Sequence, residues 1–159
     1  MKKIKFKTVE LHDAYMVLSA AKFTKLSDSD KIKVWKITRA LKPISQKYED
    51  DNKSAAETLK PKDGDFDATL AKVQEFESLM RNGGDMKKAP IGAAEHQAFI
   101  MDVWNPYQKL VADAIKPIGE AEVEVEIDPL SEESFGQLMA SNDNWVMGTA
   151  IALAEIMTD

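Results

Sequence analysis

Few residues in this chain have the types and spacing needed for chemistry. Ser19 and Lys22 have the Ser-x-x-Lys spacing of serine acyl-enzymes, but the companion motifs of those enzymes are absent. The only imidazoles, His12 and His96, lack the i, i+4 spacing of a helical zinc pair. We therefore predict no catalytic, cofactor-binding or metal-binding residue, and a function that is not enzymatic.

A run of alternating carboxylates over residues 63–67 (DGDFD) resembles the start of a calcium loop. An EF-hand loop needs glycine at its sixth position and glutamate at its twelfth, for the turn and for the bidentate ligand. Ala68 and Gln74 occupy those positions. The run therefore indicates a turn in which Asp65 caps the following helix. The chain has no cysteine, which excludes disulfides and thiolate metal sites.

The elements that position these residues begin with two strands near the ends of the chain. Residues 2–7 alternate lysine with apolar residues, and residues 120–128 alternate acidic with apolar residues. Each pattern has the period of a strand with one charged face. Opposite charges across a strand pair stabilise it. We predict a small antiparallel ribbon in which a strand at about 2–8 pairs with a strand at about 120–128.

The net charge of −6 is distributed very unevenly. Residues 1–47 hold twelve bases and four acids, whereas residues 118–159 hold ten acids and no base. Such asymmetry can indicate a basic surface for nucleic acid. The alternative is that the two halves face each other within one fold. We favour this alternative because the ribbon already shows where the charges could meet.

Apolar residues at helical spacing predict that most of the remaining chain is helical. The predicted helices cover about 11–25, 28–59, 66–82, 93–117, 131–140 and 145–157, with a break and restart or a kink at 105–106. Residues 83–92 are predicted to form a mobile loop. The fold is therefore mainly α (α+β), a helical bundle or helical hairpin in a single domain, 1–159. The pattern leaves open whether helices 28–59 and 66–82 project as a hairpin.

The last helix is apolar nearly all round, which is typical of a central buried helix or of an oligomer interface. If it is an interface, the partner surface contains Trp145, Met147, Ile151 and Leu153. The chain also has eight methionines, and methionine-rich surfaces adapt to different partners. The same four residues could instead form the core of a monomer.

A second candidate surface lies on the basic helix at 31–47, where several cations surround a tryptophan. Its residues are Lys33, Trp35, Lys36, Arg39 and Lys42. Cations beside an aromatic ring can bind phosphates and stack on a base. The same pattern is also typical of a solvated helix face, and the overall acidity argues against a dedicated nucleic-acid binder.

Three stretches of the chain resemble small uncharacterised proteins of bacteriophages and prophages. They are residues 5–11 (KFKTVEL), 15–26 (YMVLSAAKFTKL) and 34–44 (VWKITRALKPI). The resemblance covers about the first third of the chain and the late acidic strand. It implies an origin in a mobile element and carries no catalytic residue or cofactor with it.

Together these observations predict a phage- or prophage-type protein that acts through protein contacts or self-association. It would be a virion component, an assembly factor or an inhibitor of a host system, in the host cytoplasm or the virion. The alternative is a nucleic-acid-associated accessory protein that uses the basic helix. The longest apolar stretch is shorter than the roughly 20 residues that a bilayer span needs, so no membrane partner is expected.

Overall fold

The structure is mainly helical and contains one small sheet. The computed structural model describes residues 1–159, of which 70% are helical. The strands are β1 (Lys2–Lys7) and β2 (Glu122–Ile127). The helices are α1 (Thr8–Ser19), α2 (Asp28–Leu59), α3 (Phe66–Arg81), α4 (Ala93–Phe99), α5 (Asn105–Glu120), α6 (Glu132–Ala140) and α7 (Met147–Met157). The predicted mainly α fold with a two-stranded ribbon is therefore confirmed.

The chain forms two compact units. The first contains Met1–Lys53 and Ile115–Asp159, and the second contains Ser54–Ala114. The chain passes from one unit to the other within α2 and again within α5. Units that share continuous helices can belong to one domain or to two, so the single domain over residues 1–159 stays a prediction.

β1 and β2 pair antiparallel in the register that their charges predict. Three lysines lie opposite three glutamates, in the pairs Lys3–Glu126, Lys5–Glu124 and Lys7–Glu122. The ion pairs run diagonally, with Lys3 Nζ 3.0 Å from Glu124 and Lys5 Nζ 2.6 Å from Glu122. The hydrogen bond between Lys5 and Glu122 raises the pKa of the lysine and lowers the pKa of the glutamate. The charges of the two chain ends thus meet where the sequence pattern places them.

The core of the first unit is built from one face each of the ribbon, α1, α2, α6 and α7. Its buried residues include Ile4, Leu11, Ala14, Leu18, Val34, Ile37, Leu41, Val125, Ile127, Phe135, Leu138, Leu153, Ile156 and Met157. Those of α2 repeat every three or four positions, which places them on one side of the helix. Burying each large apolar side chain contributes about 1.5–3 kcal/mol. The opposite sides of α2 and α7 face solvent.

α1 begins three residues earlier and ends six residues earlier than predicted. At its start, the Thr8 amide and hydroxyl both donate to the Ala121 carbonyl, at 2.8 and 2.7 Å. After Ser19 the chain is held by Asn142, whose Oδ1 accepts from the Lys22 amide at 2.8 Å. The Asn142 Nδ2 donates to the Lys22 carbonyl at 2.9 Å. Because Asn142 satisfies both backbone groups of Lys22, the chain has no need of further helical bonds there.

The second unit has its own small core. Phe66, Val73 and Phe99 are buried in it, and Trp104 stacks on Phe66 with ring centroids 6.5 Å apart. The hydroxyl of Tyr107 donates to the Ala56 carbonyl at 2.7 Å. These contacts join the end of α2, α3 and α5 through aromatic side chains within this unit.

The helical path from α4 to α5 is continuous. A π-helical segment, Ile100–Trp104, joins the two helices. Pro106 has no amide proton, and in a regular α-helix its ring would clash with the carbonyl of Asp102. The wider π turn accommodates it. Of the two alternatives predicted at 105–106, the break and restart is wrong, because the backbone stays helical through these residues, and the kink stays a prediction.

The loop after α3 contains a glycine with a positive φ. Gly83 has φ +66°, a conformation that ends helices and that side chains with a Cβ rarely adopt. A short 3₁₀ turn, Met86–Lys88, follows. The mobility of residues 83–92 stays a prediction.

Candidate functional site

The clearest candidate for a contact surface is the solvent-facing side of α7. Met147 is 70% exposed and Ile151 is 54% exposed. Their spacing of four residues puts both on the same side of the helix. Val146, immediately before the helix, is also exposed. We refer to Val146, Met147 and Ile151 as the α7 face.

Two of the four residues predicted for the partner surface belong to the core instead. Leu153 is 2% exposed and lies in the main core cluster. Trp145 is half-buried and packs against the same cluster. It precedes α7, in a turn where its amide donates to the Asn142 carbonyl at 3.1 Å. Of the predicted surface, only Met147 and Ile151 are therefore presented to solvent, and α7 begins at Met147.

A cleft of about 300 Å³ lies next to the α7 face, between α1 and α7 in the first unit. Small residues from both helices leave this space open, namely Ala14, Gly148 and Ala152. Leu153 and Ile156 also line the cleft, so its floor is apolar. The cleft is at the small end of the size range of ligand pockets.

The rim of this cleft carries only negative charge. Glu10, Asp13 and Glu155 line it, and no basic residue does. One oxygen of Glu10 accepts the Lys7 amide at 2.9 Å and so caps the start of α1. Asp13 and Glu155 are exposed. We refer to this site as the acidic cleft; its chemistry favours an apolar group flanked by cations.

The exposed side of α2 combines apolar surface with positive charge. Ile32 is 53% exposed and Trp35 is 54% exposed. The guanidinium of Arg39 lies 5.3 Å from the centroid of the Trp35 ring, within the range of a cation–π contact. Lys36 is exposed beside them. We refer to Ile32, Trp35, Lys36 and Arg39 as the α2 stripe, since their spacing places them along one side of the helix.

The other two residues of the predicted basic patch differ in their exposure and in their contacts. Lys33 is half-buried, with its Nζ 3.4 Å from the Pro129 carbonyl and 4.0 Å from the Asp128 carboxylate. The Lys33 side chain therefore points toward the segment after β2 and is not part of the basic surface of α2. Lys42 is exposed and extends the basic surface along α2 by one turn.

A second cleft, of about 500 Å³, lies elsewhere in the first unit. Tyr48, Ile118 and Val123 are among the residues that line it. Its charged side chains, Lys47 and Asp51, form an ion pair with each other. The charge of this cleft is therefore compensated from within, unlike that of the acidic cleft.

The Ser-x-x-Lys pair is split between two elements. Ser19 is the last residue of α1, and its hydroxyl donates to the Tyr15 carbonyl at 2.6 Å. Lys22 lies beyond the helix, in the segment held by Asn142. The two residues do not share one helix face.

Both histidines have partners inside the protein. His12 Nδ1 is 2.8 Å from the hydroxyl of Ser45, which is only 1% exposed. His96 Nε2 is 2.9 Å from a carboxylate oxygen of Glu77. No group of three or more His, Cys, Asp or Glu side chains in the chain is arranged to hold a metal ion. These contacts connect α1 with α2 and α3 with α4, each within its own unit.

The acidic run at 63–67 forms the turn that the sequence indicates. The Phe66 amide donates to the Asp63 carbonyl at 3.1 Å. Asp67 lies 2.8 Å from Lys60 Nζ, and this hydrogen bond raises the pKa of the lysine. Asp65 occupies the predicted capping position, but its side chain makes no cap hydrogen bond.

No protein-family model, curated protein or solved structure matches this chain. No helix combines the length and hydropathy that crossing a membrane requires.

The sequence patterns did not identify the acidic cleft or the role of Asn142. The cleft combines residues of α1 and α7, which are more than 130 positions apart. Its one local signal is the pair Gly148 and Ala152, two small residues one helical turn apart. Asn142 gave no signal, because an asparagine in a polar run equally indicates an exposed turn.

Proposed function

We propose that this protein acts through protein–protein contacts and is not an enzyme. It is of phage or prophage type, and serves as a virion component, an assembly factor or an inhibitor of a host system. The observation that carries this proposal is the α7 face, where a helix that closes the core presents large apolar side chains to solvent. The phage origin rests on the resemblance of residues 5–11, 15–26 and 34–44.

The size of the α7 face indicates how much of a contact it could supply. Burying each of its three exposed side chains contributes about 1–2 kcal/mol, so the face supplies about 3–6 kcal/mol. A micromolar complex needs about 8 kcal/mol after the costs of association. A partner must therefore bury more than these three residues, and the acidic cleft is the adjoining surface that it would reach.

Site-specific photo-crosslinking tests this proposal in the cells that produce the protein. A photoreactive residue replaces Ile151 in one version and Gln108, an exposed residue of α5, in a control. The proposal expects Ile151 to yield a discrete crosslinked protein that Gln108 does not. Equal yields from the two positions, or no product from Ile151, would contradict it.

A nucleic-acid-associated role is the second candidate, and the α2 stripe is the observation that favours it. Trp35 is exposed beside Lys36 and Arg39, so a base could stack next to cations that contact phosphates. Three cations, including Lys42, would give binding a log–log salt slope of about −2 to −3. The double variant Lys36→Glu with Arg39→Glu should abolish such binding, and unchanged weak binding at low salt would reject this role.

A further inference from the structure

We infer that the acidic cleft of one copy of this chain binds the α2 stripe of a second copy. The inference rests on the proposed function, because it names the partner of the surface beside the α7 face. Both surfaces belong to the first compact unit.

The charges of the two surfaces are opposite and separate. The acidic cleft has Glu10, Asp13 and Glu155 on its rim and no lining cation. The α2 stripe has Lys36 and Arg39 beside its apolar residues. A copy that binds through these surfaces would pair the cations of one protomer with carboxylates of the other.

The apolar parts of the two surfaces are also complementary. Ile32 and Trp35 are large, and each has more than half of its surface exposed. The cleft is open because Gly148 and Ala152 have little or no side chain, and its volume of about 300 Å³ is of the size that large side chains fill. A protruding stripe with aromatic surface therefore meets a recess with an apolar floor.

The lengths of the surfaces agree. The stripe runs from Ile32 to Arg39, and the α7 side of the cleft runs from Gly148 to Glu155. Each covers seven residue steps, or about 10 Å of helix. Arg39 is already placed over the Trp35 ring, which reduces the side-chain entropy that binding would cost.

The contact joins two different surfaces, so it is head-to-tail. A second copy that donates its stripe still has its own cleft unoccupied. Such heterologous contacts generate rings or open chains of subunits, whereas an isologous contact stops at a dimer. Assembly in rings or chains is consistent with the virion or assembly role proposed above.

Two complementary double variants test this pairing. The stripe variant carries Lys36→Glu with Arg39→Glu, and the cleft variant carries Asp13→Lys with Glu155→Lys. All four side chains are exposed and make no ion pair within the chain. Glu10 is left intact because it caps α1. Far-UV circular dichroism checks that both variants fold.

Sedimentation velocity at low salt then measures each variant alone and an equimolar mixture. Each variant alone should stay at the 17.7 kDa monomer mass, because one of its two surfaces is broken. The mixture retains one intact cleft and one intact stripe, and its two reversed surfaces are also opposite in charge, so its mass should rise above the mass of either variant alone. A mixture that stays monomeric, or variants that associate alone as the unaltered chain does, would overturn the inference.

Matched controls separate local pairing from net charge. Lys72→Glu with Lys87→Glu and Glu75→Lys with Asp113→Lys make the same charge changes at exposed positions of the second unit. Both controls should associate like the unaltered chain, and loss of association in them would overturn the inference. If the mixture stays monomeric while Ile151 crosslinks to a different protein, self-pairing fails and the proposed function stands. If both experiments fail, the proposed function fails too.

Discussion

The two sides of α7 should respond very differently to truncation. Leu153 is 2% exposed, and its replacement by alanine removes core contacts and leaves a cavity. Leucine-to-alanine changes at buried sites cost about 2–5 kcal/mol. Leu153 also lines the acidic cleft, so neighbouring groups and water can fill part of the space. We therefore expect Leu153→Ala to lower the free energy of unfolding by about 2–3 kcal/mol, in the lower part of that range. The matched change Ile151→Ala removes an exposed side chain and should change stability by less than about 0.5 kcal/mol.

Urea unfolding followed by tryptophan fluorescence and by far-UV circular dichroism measures both free energies of unfolding. In thermal unfolding of a chain of this length, each kcal/mol lost from the free energy of unfolding lowers Tm by about 2–4 °C. Leu153→Ala should therefore lower Tm by about 4–12 °C. The slope of the free energy against urea should be unchanged, because neither variant alters the surface that unfolding exposes. A larger loss in Ile151→Ala than in Leu153→Ala would refute the assignment of the two sides of α7.

Other predictions concern the Asn142 clamp and the ribbon. Asn142→Ala should cost about 2–3 kcal/mol in urea unfolding, because it removes three hydrogen bonds from a buried side chain, while the exposed neighbour Asp143→Ala should have little effect; equal effects would reject the clamp. Glu122→Gln and Lys5→Gln should each lower the urea midpoint, and the double variant should lose less than the sum of the two losses because both changes break the same ion pair; strictly additive losses would show that these two charges do not interact. The Glu122 carboxyl should titrate below its ordinary pKa in an NMR pH series, and Lys5→Gln should raise that pKa. Because folding lowers the pKa of Glu122, its contribution to stability is fully present at a pH above its pKa in the unfolded chain. That contribution is lost as the pH falls through the pKa of Glu122 in the folded protein. An unchanged Glu122 titration in Lys5→Gln would contradict this.

The ribbon could be predicted from the sequence because its signal is local and redundant. Alternation over residues 2–7 and again over residues 122–127 identifies two strands and their charged faces. The opposite signs of the charges then favour the pairing of Lys5 with Glu124 over pairings with like charges. The residue types therefore indicate both the two strands and the way in which they pair.

The orientation of α7 could not be predicted in the same way. Nearly every residue of this helix is apolar, so no polar stripe marks which side faces solvent. Leu153 and Ile151 are equivalent by composition, and only packing against the rest of the first unit separates them. For this reason the predicted surface includes Leu153, which belongs to the core.

The end of α1 and the acidic cleft could not be predicted because both depend on contacts between residues that are far apart in the sequence. The end of α1 depends on Asn142, which lies 120 residues after Lys22. The acidic cleft depends on Ala14 and Ala152, which are even farther apart in the sequence. Apart from the charged ribbon, local patterns predict elements but do not show which elements meet.

The most direct measurement is the molar mass of the unaltered chain by light scattering, as a function of protein concentration and at low and high salt. If the acidic cleft binds the α2 stripe of another copy, the mass should rise above 17.7 kDa with concentration at low salt. It should fall toward 17.7 kDa at high salt, because the paired charges are exposed and are screened. A mass that stays at 17.7 kDa at every concentration and salt would contradict head-to-tail association.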